Sequence, residues 1–128
     1  MPINRVEALE VLKVFGRAFN KGDIEGILSC VTDDFQWRLA DGPDAPDAKV
    51  LSGTEEVRAA LEARGEKFKS IKFSETELLY ADRQVIGRFR ATGEYTDGRS
   101  LDVRGIDIYD FRDGKIAVKD SYWKDITD

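Results

Sequence analysis

The chain has no histidine and only one cysteine among its 128 residues. Without histidine it lacks the usual general base of enzymes, the Ser-His and Cys-His nucleophile systems and the commonest zinc ligand. Any chemistry must therefore use carboxylates, lysine, tyrosine or water. The single thiol, Cys30, lies in the apolar run ILSCV and cannot form an intramolecular disulfide, so we expect a buried structural side chain. We expect neither a metal ion nor a cofactor.

The chain also lacks a basic excess and a long apolar run. Its formal net charge is −5 and its lysines and arginines are spread along the sequence, which argues against nucleic-acid binding. No apolar run reaches the roughly 18 residues of a membrane-spanning helix, and the N-terminal MPINRVEALE lacks the features of a signal peptide. We therefore expect no membrane association and a cytoplasmic location. The length suits one domain over residues 1–128.

The apolar spacing predicts helices in the first half of the chain and strands in the second. The pattern from Val6 to Phe19 predicts a first helix that ends near Gly22. Asp23 is expected to cap a second helix, IEGILSCV, and Thr54 a third helix with Phe68 as a candidate for its inner side. FQWRL is predicted as a short strand, and ADGPDAPDAKVLSG as a loop of the kind that often covers a site. Four long strands then follow, namely IKFSETELLYA, QVIGRFRATGEY, SLDVRGIDIYDF and KIAVKDSYW. This order predicts an α+β fold with an antiparallel meander.

Asp107 and Lys119 lie inside the apolar alternation of the last two strands. A two-residue turn between these strands would place Asp107 opposite Asp120, which is unfavourable for two like charges. A three-residue turn that ends in a bulge at Gly114 pairs Asp107 with Lys119 instead. We therefore predict the three-residue turn, with both charges on one face of the sheet.

Four segments together resemble the ketosteroid isomerase-like and SnoaL-like branch of the NTF2-like superfamily. They are FNKGDIEGILSCVTDDF at the first helix junction, LSGTEEVR at the third helix, GEYTDGR at a hairpin, and GIDIYDFRDGKI followed by SYWK at the end. Their order and spacing cover nearly the whole chain. The resemblance implies an NTF2-like cone, in which a curved antiparallel β-sheet wraps around three N-terminal-half helices and encloses a deep apolar cavity.

The resemblance also implies roles for individual residues. The oxyanion-hole aspartic acid of the steroid isomerases falls on Asp107, so the Asp107 face is expected to line the cavity. The second oxyanion donor, a tyrosine, falls on Phe15, and the catalytic base falls on Leu39. In the epoxide-hydrolase branch, the last aspartate of an Asp-Arg-Asp set falls on Ser121. Because each proton-transfer group contributes about 10²–10⁴ in rate, we expect no genuine steroid isomerase activity.

Two interpretations of Asp107 and Lys119 remain open. They form either a structural ion pair that closes the floor of the sheet or an anchor for a ligand carbonyl or carboxylate. A Schiff-base role for Lys119 is disfavoured, because a lysine paired with an aspartate is held protonated. The loop carboxylates Asp41, Asp44 and Asp47 are either solvated or positioned over the cavity mouth as a replacement base.

Several side chains are expected to be core residues that also form the wall of the pocket. Small residues at Ala91, Gly93 and Gly105 either leave room beside them or mark bends of the sheet. The expected ligand-binding residues are Phe15, Trp37, Leu39, Phe89, Tyr109, Ser121 and Trp123.

The outer face of the last two strands is predicted to be too apolar to face water over its whole area. A sheet-to-sheet homodimer would bury it, and dimers are common in the superfamily that the chain resembles. The residues expected there are Ile106, Ile108, Ile116, Val118 and Tyr122.

The expected function is that of a SnoaL-like small-molecule enzyme, of the isomerase, cyclase, dehydratase or hydrolase type. It would act on a hydrophobic ligand bearing a carbonyl or hydroxyl group, with Asp107 and Lys119 as catalytic groups. The alternative is a non-catalytic small-molecule-binding protein that keeps the cone but has lost the base. The missing tyrosine and aspartate favour the alternative, whereas the retained Asp107 and the added lysine favour the enzyme. A third possibility, a dimeric protein-interaction module, has no marked partner surface.

Overall fold

A computed structural model describes residues 3–44, 46 and 48–124. In this part of the chain, three α-helices and a 3-10 turn pack against one sheet. The helical elements are α1 (Arg5–Lys21), α2 (Ile24–Leu28), α3 (Gly53–Glu62) and the 3-10 turn Arg64–Glu66. The strands are β1 (Val31–Arg38), β2 (Val50–Ser52), β3 (Phe68–Tyr80), β4 (Gln84–Tyr95), β5 (Ser100–Arg112) and β6 (Lys115–Trp123).

The six strands form one curved, open sheet in the order β2-β1-β6-β5-β4-β3. The predicted α+β class and the meander from β3 to β6 are confirmed. The prediction missed two features: β2 lies within the predicted loop, and β1 pairs with β6 in parallel rather than antiparallel fashion. A three-residue strand and a pairing between distant segments leave no local period in the sequence that would reveal them.

The first helix ends and the second begins where the sequence predicts, but α2 ends at Leu28, three residues before the end of the predicted helical segment IEGILSCV. Asn4 caps α1 by accepting a hydrogen bond from the backbone of Glu7 at 3.1 Å, and Gly22 follows the last residue of the helix. Asp23 caps α2 by accepting from the backbone of Gly26 at 3.0 Å. The buried stripe of α1 repeats every three to four residues, as an amphipathic helix requires. It consists of Ala8, Leu12, Phe15 and Ala18.

The start and the end of α3 differ from the prediction. The cap position is Ser52 rather than Thr54, and the helix begins at Gly53. The Ser52 side chain makes no capping hydrogen bond, but the Glu56 carboxylate accepts from the Ser52 backbone amide at 3.0 Å. Phe68, predicted on the inner side of this helix, instead begins β3.

The turn between β5 and β6 has two residues rather than the three predicted. They are Asp113 and Gly114, with positive φ angles of 53° and 76°. These angles suit the tight turn that Asp-Gly commonly forms in hairpins. The register then shifts by one residue at a bulge in β6, close to the turn. The shift places Asp107 opposite Ser121, so neither Lys119 nor Asp120 faces it directly.

Both charged side chains still lie on one face of the sheet, as predicted, because the bulge compensates for the shorter turn. Asp107, Lys119 and Ser121 are all buried, and Lys119 lies opposite Tyr109. The bulge also reverses the alternation closer to the turn. Ile116, which was predicted on the outer face, is therefore 0 % exposed and belongs to the main core.

Two of the small strand residues mark close approaches rather than free space. A Cβ atom on Gly105 would lie 2.7 Å from the Phe89 ring and 2.9 Å from the Trp123 ring. A Cβ atom on Gly93 would collide with the Ser70 carbonyl on the neighbouring strand. Neither position therefore leaves the room expected beside it, because neighbouring groups already pack against the backbone there.

The core lies between the helices and the inner face of the sheet. Its larger cluster surrounds the buried stripe of α1, and it contains Cys30, which is buried as predicted. A smaller cluster of Phe89, Ala91 and Leu101 lies further along β4 and β5. Among the residues that the structure describes, no helix is both long and apolar enough to cross a membrane.

Candidate functional site

A set of hydrogen-bonded polar side chains lies buried on the inner face of β5 and β6. The Ser121 hydroxyl donates to Asp107 Oδ1 at 2.6 Å, and Lys119 Nζ donates to Ser121 Oγ at 3.2 Å. Lys119 Nζ also lies 3.5 Å from Asp107 Oδ1. On the other side, the Tyr109 hydroxyl donates to Asp107 Oδ2 at 3.2 Å. The Asp107 carboxylate therefore accepts from two hydroxyls and pairs with one ammonium group.

The strand register explains why these four side chains meet. Asp107 faces Ser121 across the two strands and Tyr109 faces Lys119, so the four occupy neighbouring positions on one face. The parallel pairing of β1 with β6 places Trp37 directly beside Lys119. Lys119 Nζ consequently lies 4.9 Å from the centre of the Trp37 ring and 5.2 Å from that of Phe19, within the range of cation–π attraction.

Burial controls the protonation of this group. It lowers the pKa of Lys119, and the nearby Arg64 acts in the same direction, while the Asp107 carboxylate opposes both. The Asp107 carboxylate, which was expected to hold Lys119 protonated, therefore affects the pKa of Lys119 less than burial does. Burial and the adjacent carboxylate raise the pKa of Tyr109 well above its usual value, so its hydroxyl stays a neutral donor.

Two cavities meet at the side chains of Lys119 and Phe73, which line both. The larger has a volume of about 400 Å³ and the smaller about 100 Å³. The predicted residues that line the larger cavity are Trp37, Leu39, Ser121 and Trp123. Those that line the smaller one are Phe15, Phe89, Asp107 and Tyr109. The structure thus brings all nine predicted site residues to the walls of two adjoining cavities.

Apolar groups occupy the positions where the resemblance implies a proton donor and a base. Phe15 is buried and packs edge-on against Tyr109, with 6.1 Å between the ring centres. Leu39 lies just beyond β1 on the wall of the larger cavity. Neither side chain can transfer a proton, so these two positions supply neither the proton donor nor the base that the resemblance implies.

The loop carboxylates do not supply an obvious substitute base. Asp41 lines the larger cavity at its edge, where it is 67 % exposed and pairs with Lys67 at 2.6 Å. Asp44 is exposed, and Asp47 lies outside the described residues. Within the described ranges, no group of three or more histidine, cysteine, aspartate or glutamate side chains could hold a metal ion.

The sequence analysis missed one charged residue of the site, Arg64. It lies in the 3-10 turn after α3, where no periodicity reports the direction of a side chain. Burial lowers the pKa of Arg64 to about 10, with Asp107 opposing the shift, so the guanidinium remains charged near neutral pH. Phe73 was also missed, although its ring lies between the two cavities.

A larger open groove, of about 1040 Å³, lies between the start of α1 and two hairpin turns. None of the predicted site residues lines it. Because the buried polar group and the aromatic walls lie elsewhere, we take the two inner cavities as the candidate site.

A curved, open six-stranded sheet packed against helices from the N-terminal half defines a small α+β protein of the NTF2-like fold. The model of the SnoaL-like domain matches residues 11–119, so the chain belongs to this family. None of the curated proteins compared with the chain matches it.

Solved structures of the same fold resemble the chain over almost its full length. An NTF2-like protein of unknown function from Burkholderia pseudomallei K96243 is 16 % identical, with a TM-score of 0.81 and coverage of 92 % of this chain and 91 % of that one. A protein from Xanthomonas campestris pv. campestris, provisionally named a polyketide cyclase, is 22 % identical, with a TM-score of 0.82 and coverage of 95 % and 93 %. TerC, co-crystallised with polyporic acid, is 17 % identical, with a TM-score of 0.78 and coverage of 92 % of both chains.

Proposed function

We propose that the protein is a SnoaL-like small-molecule enzyme that acts on a hydrophobic ligand bearing a carbonyl or hydroxyl group. The observation that carries this proposal is the buried Asp107–Ser121–Lys119 group at the junction of two cavities. A charge pair removed from water adds little net stability, which favours another reason for its presence. The names of two structural neighbours, a provisional polyketide cyclase and a protein co-crystallised with polyporic acid, support a small organic ligand.

The geometry favours Lys119 as the group that contacts the substrate oxygen. Asp107 already accepts from Ser121 and Tyr109, so both of its oxygens have partners within the protein. Lys119 directs one N–H to Ser121 and lies against Asp107, and its side chain lines both cavities. A donor fixed in this way stabilises negative charge that develops on a carbonyl oxygen during isomerisation, cyclisation, dehydration or hydrolysis.

A comparison of turnover with affinity tests this function. Aromatic ketones, quinones and phenols would be screened by thermal shift, and the stabilising compounds would then be assayed for conversion. For a converted compound, we expect Lys119→Met to lower kcat by about 10²–10³-fold, the usual effect of losing one such donor. Asp107→Asn should also lower kcat, because it removes the carboxylate that holds Lys119 and Ser121 in place. Asp102→Asn makes the same amide change on the exposed outer face and should leave kcat unaltered. Unchanged kcat in both inner variants would contradict the proposal.

The alternative is a binding protein without catalysis, and Phe15 and Leu39 favour it because they replace the donor and the base. Under this alternative, Asp107→Asn and Lys119→Met weaken the binding of a stabilising compound, while no conversion occurs in the wild type. The same set of variants therefore separates the two functions.

We also propose that the protein forms a homodimer through the outer sheet face. Tyr122 is 53 % exposed there, and Ile106, Ile108 and Val118 remain partly exposed beside it. The inward position of Ile116 makes this surface smaller than the sequence analysis expected. Light scattering of the wild type and of Ile108→Glu tests the proposal. A dimer that the charge dissociates would support it, and a monomeric wild type would contradict it.

A further inference from the structure

The guanidinium of Arg64 occupies an aromatic enclosure at the larger cavity. Its central carbon lies 5.1–5.9 Å from the centres of four rings. The rings belong to Phe19, Trp37, Phe68 and Phe73. Two of the guanidinium nitrogens, Nε and Nη1, are fully buried and have no hydrogen-bond partner among the described residues. Ring faces attract the positive charge but accept no conventional hydrogen bond from the guanidinium plane.

The acidic side chains near Arg64 form ion pairs with other cations. Asp107 pairs with Lys119 and accepts from two hydroxyls, and Asp41 pairs with Lys67 at the cavity edge. The interior of the site therefore holds two buried cations, Arg64 and Lys119, against one carboxylate. Burial lowers the pKa of both cations, although Asp107 opposes the shift in each.

An unmatched, desolvated guanidinium is costly for the protein and favourable for an incoming anion. Hydrogen bonds between a guanidinium and a carboxylate are about twice as strong as neutral ones, and Arg64 has already lost most of its water. Its ring neighbours suit a flat apolar body attached to that anion. A cavity of about 400 Å³ is large enough for a bicyclic aromatic molecule.

We propose that the larger cavity selects an aromatic carboxylate and that Arg64 is the residue that binds its negative group. This inference rests on the proposed function in one respect, namely that the ligand is the substrate or bound molecule of the same site. Lys119 also lines this cavity, from β6, and could contact a second oxygen of the ligand.

A matched pair of probes tests the selection of charge. 2-Naphthoate and 2-naphthamide have nearly the same shape and differ in the charge of one group, and calorimetric titration gives the affinity of each. We expect the wild type to bind the carboxylate about 10-fold or more tightly than the amide, as a charged hydrogen bond implies. Arg64→Gln should remove this preference by weakening the carboxylate alone, and Arg64→Lys should retain part of it.

Arg88→Gln is the control, because it removes the same charge from an exposed ion pair on the outer face. It should leave the affinity of both probes unaltered. Three outcomes would overturn the inference: equal affinity for the two probes in the wild type, an unchanged preference in Arg64→Gln, or no binding of either probe at millimolar concentration. The wild-type comparison needs no variant, so it stands even if Arg64→Gln unfolds. Loss of the preference would leave the turnover test of Asp107 and Lys119 unaffected, so the two proposals fail separately.

Discussion

The two faces of the sheet carry ion pairs of opposite physical character. On the inner face, Lys119 and Asp107 are 3.5 Å apart, and their side chains are only 8 % and 7 % exposed. On the outer face, Arg90 reaches Asp102 at 2.7 Å and Glu75 at 3.2 Å, with 40–55 % of each side chain exposed. The outer contacts are shorter, yet water and salt screen them. Exposure to solvent, more than the distance between the charged atoms, therefore determines how strongly each pair influences stability.

The largest effect on stability is expected from removing the Asp107 carboxylate on the inner face. Asp107→Ala leaves the Lys119 ammonium buried without its partner and deprives Ser121 of its acceptor. We expect the free energy of unfolding to fall by about 3–5 kcal/mol, as for other buried pairs that lose one member. Urea denaturation followed by tryptophan fluorescence measures this change. Asp102→Ala on the outer face is the matched control and should give a far smaller loss; equal losses would refute the contrast.

A double replacement asks whether the inner pair is present for stability. Asp107→Leu combined with Lys119→Met keeps the volume and removes both charges. We expect it to recover at least about 2 kcal/mol of the loss seen in Asp107→Ala, because well-packed apolar groups often replace buried pairs without destabilisation. The same urea titration applies. A double variant as unstable as the single one would identify the pair as architectural and weaken its proposed role at the site.

The parts of the fold that the sequence predicts carry clear signals in it. The helix at Arg5–Lys21, its end before Gly22 and the meander have strong periodic or capping signals, and each was found. The resemblance predicted Asp107, Phe15 and Leu39 as residues of a common interior. All of these features depend on local pattern or on whole-chain similarity.

The features that were missed depend on contacts between distant segments. The bulge at Ala117 cannot be read from the alternation, and it turns Ile116 inward. The parallel neighbour of β6 was unforeseen, so the contact of Trp37 with Lys119 was unforeseen as well. Arg64 lies in a turn without periodicity, and only the packed structure shows that it points among aromatic rings.

The pH dependence of stability separates the effect of burial on the Lys119 pKa from the effect of pairing with Asp107. Its pKa is lowered in the folded state, so between that value and 10.5 the unfolded chain binds more protons than the folded one. Stability relative to Lys119→Met should therefore rise with pH in this interval, by at most about 1.4 kcal/mol per pH unit. Urea titrations of both proteins from neutral pH to pH 10 would show this. A difference that falls with pH would mean that Asp107 raises the pKa more than burial lowers it.

The smallest effect is expected on the outer face, where Arg90→Gln removes the centre of the exposed network. Arg90 lies between two carboxylates, which raise its pKa, but all three groups remain in contact with water. We expect the urea midpoint to change little at physiological ionic strength. Any change should vanish in about 1 M salt, where the screening length is about 3 Å. A large, salt-resistant loss would mean that the network is buried in solution, as it would be if a second copy of the chain covered this part of the sheet.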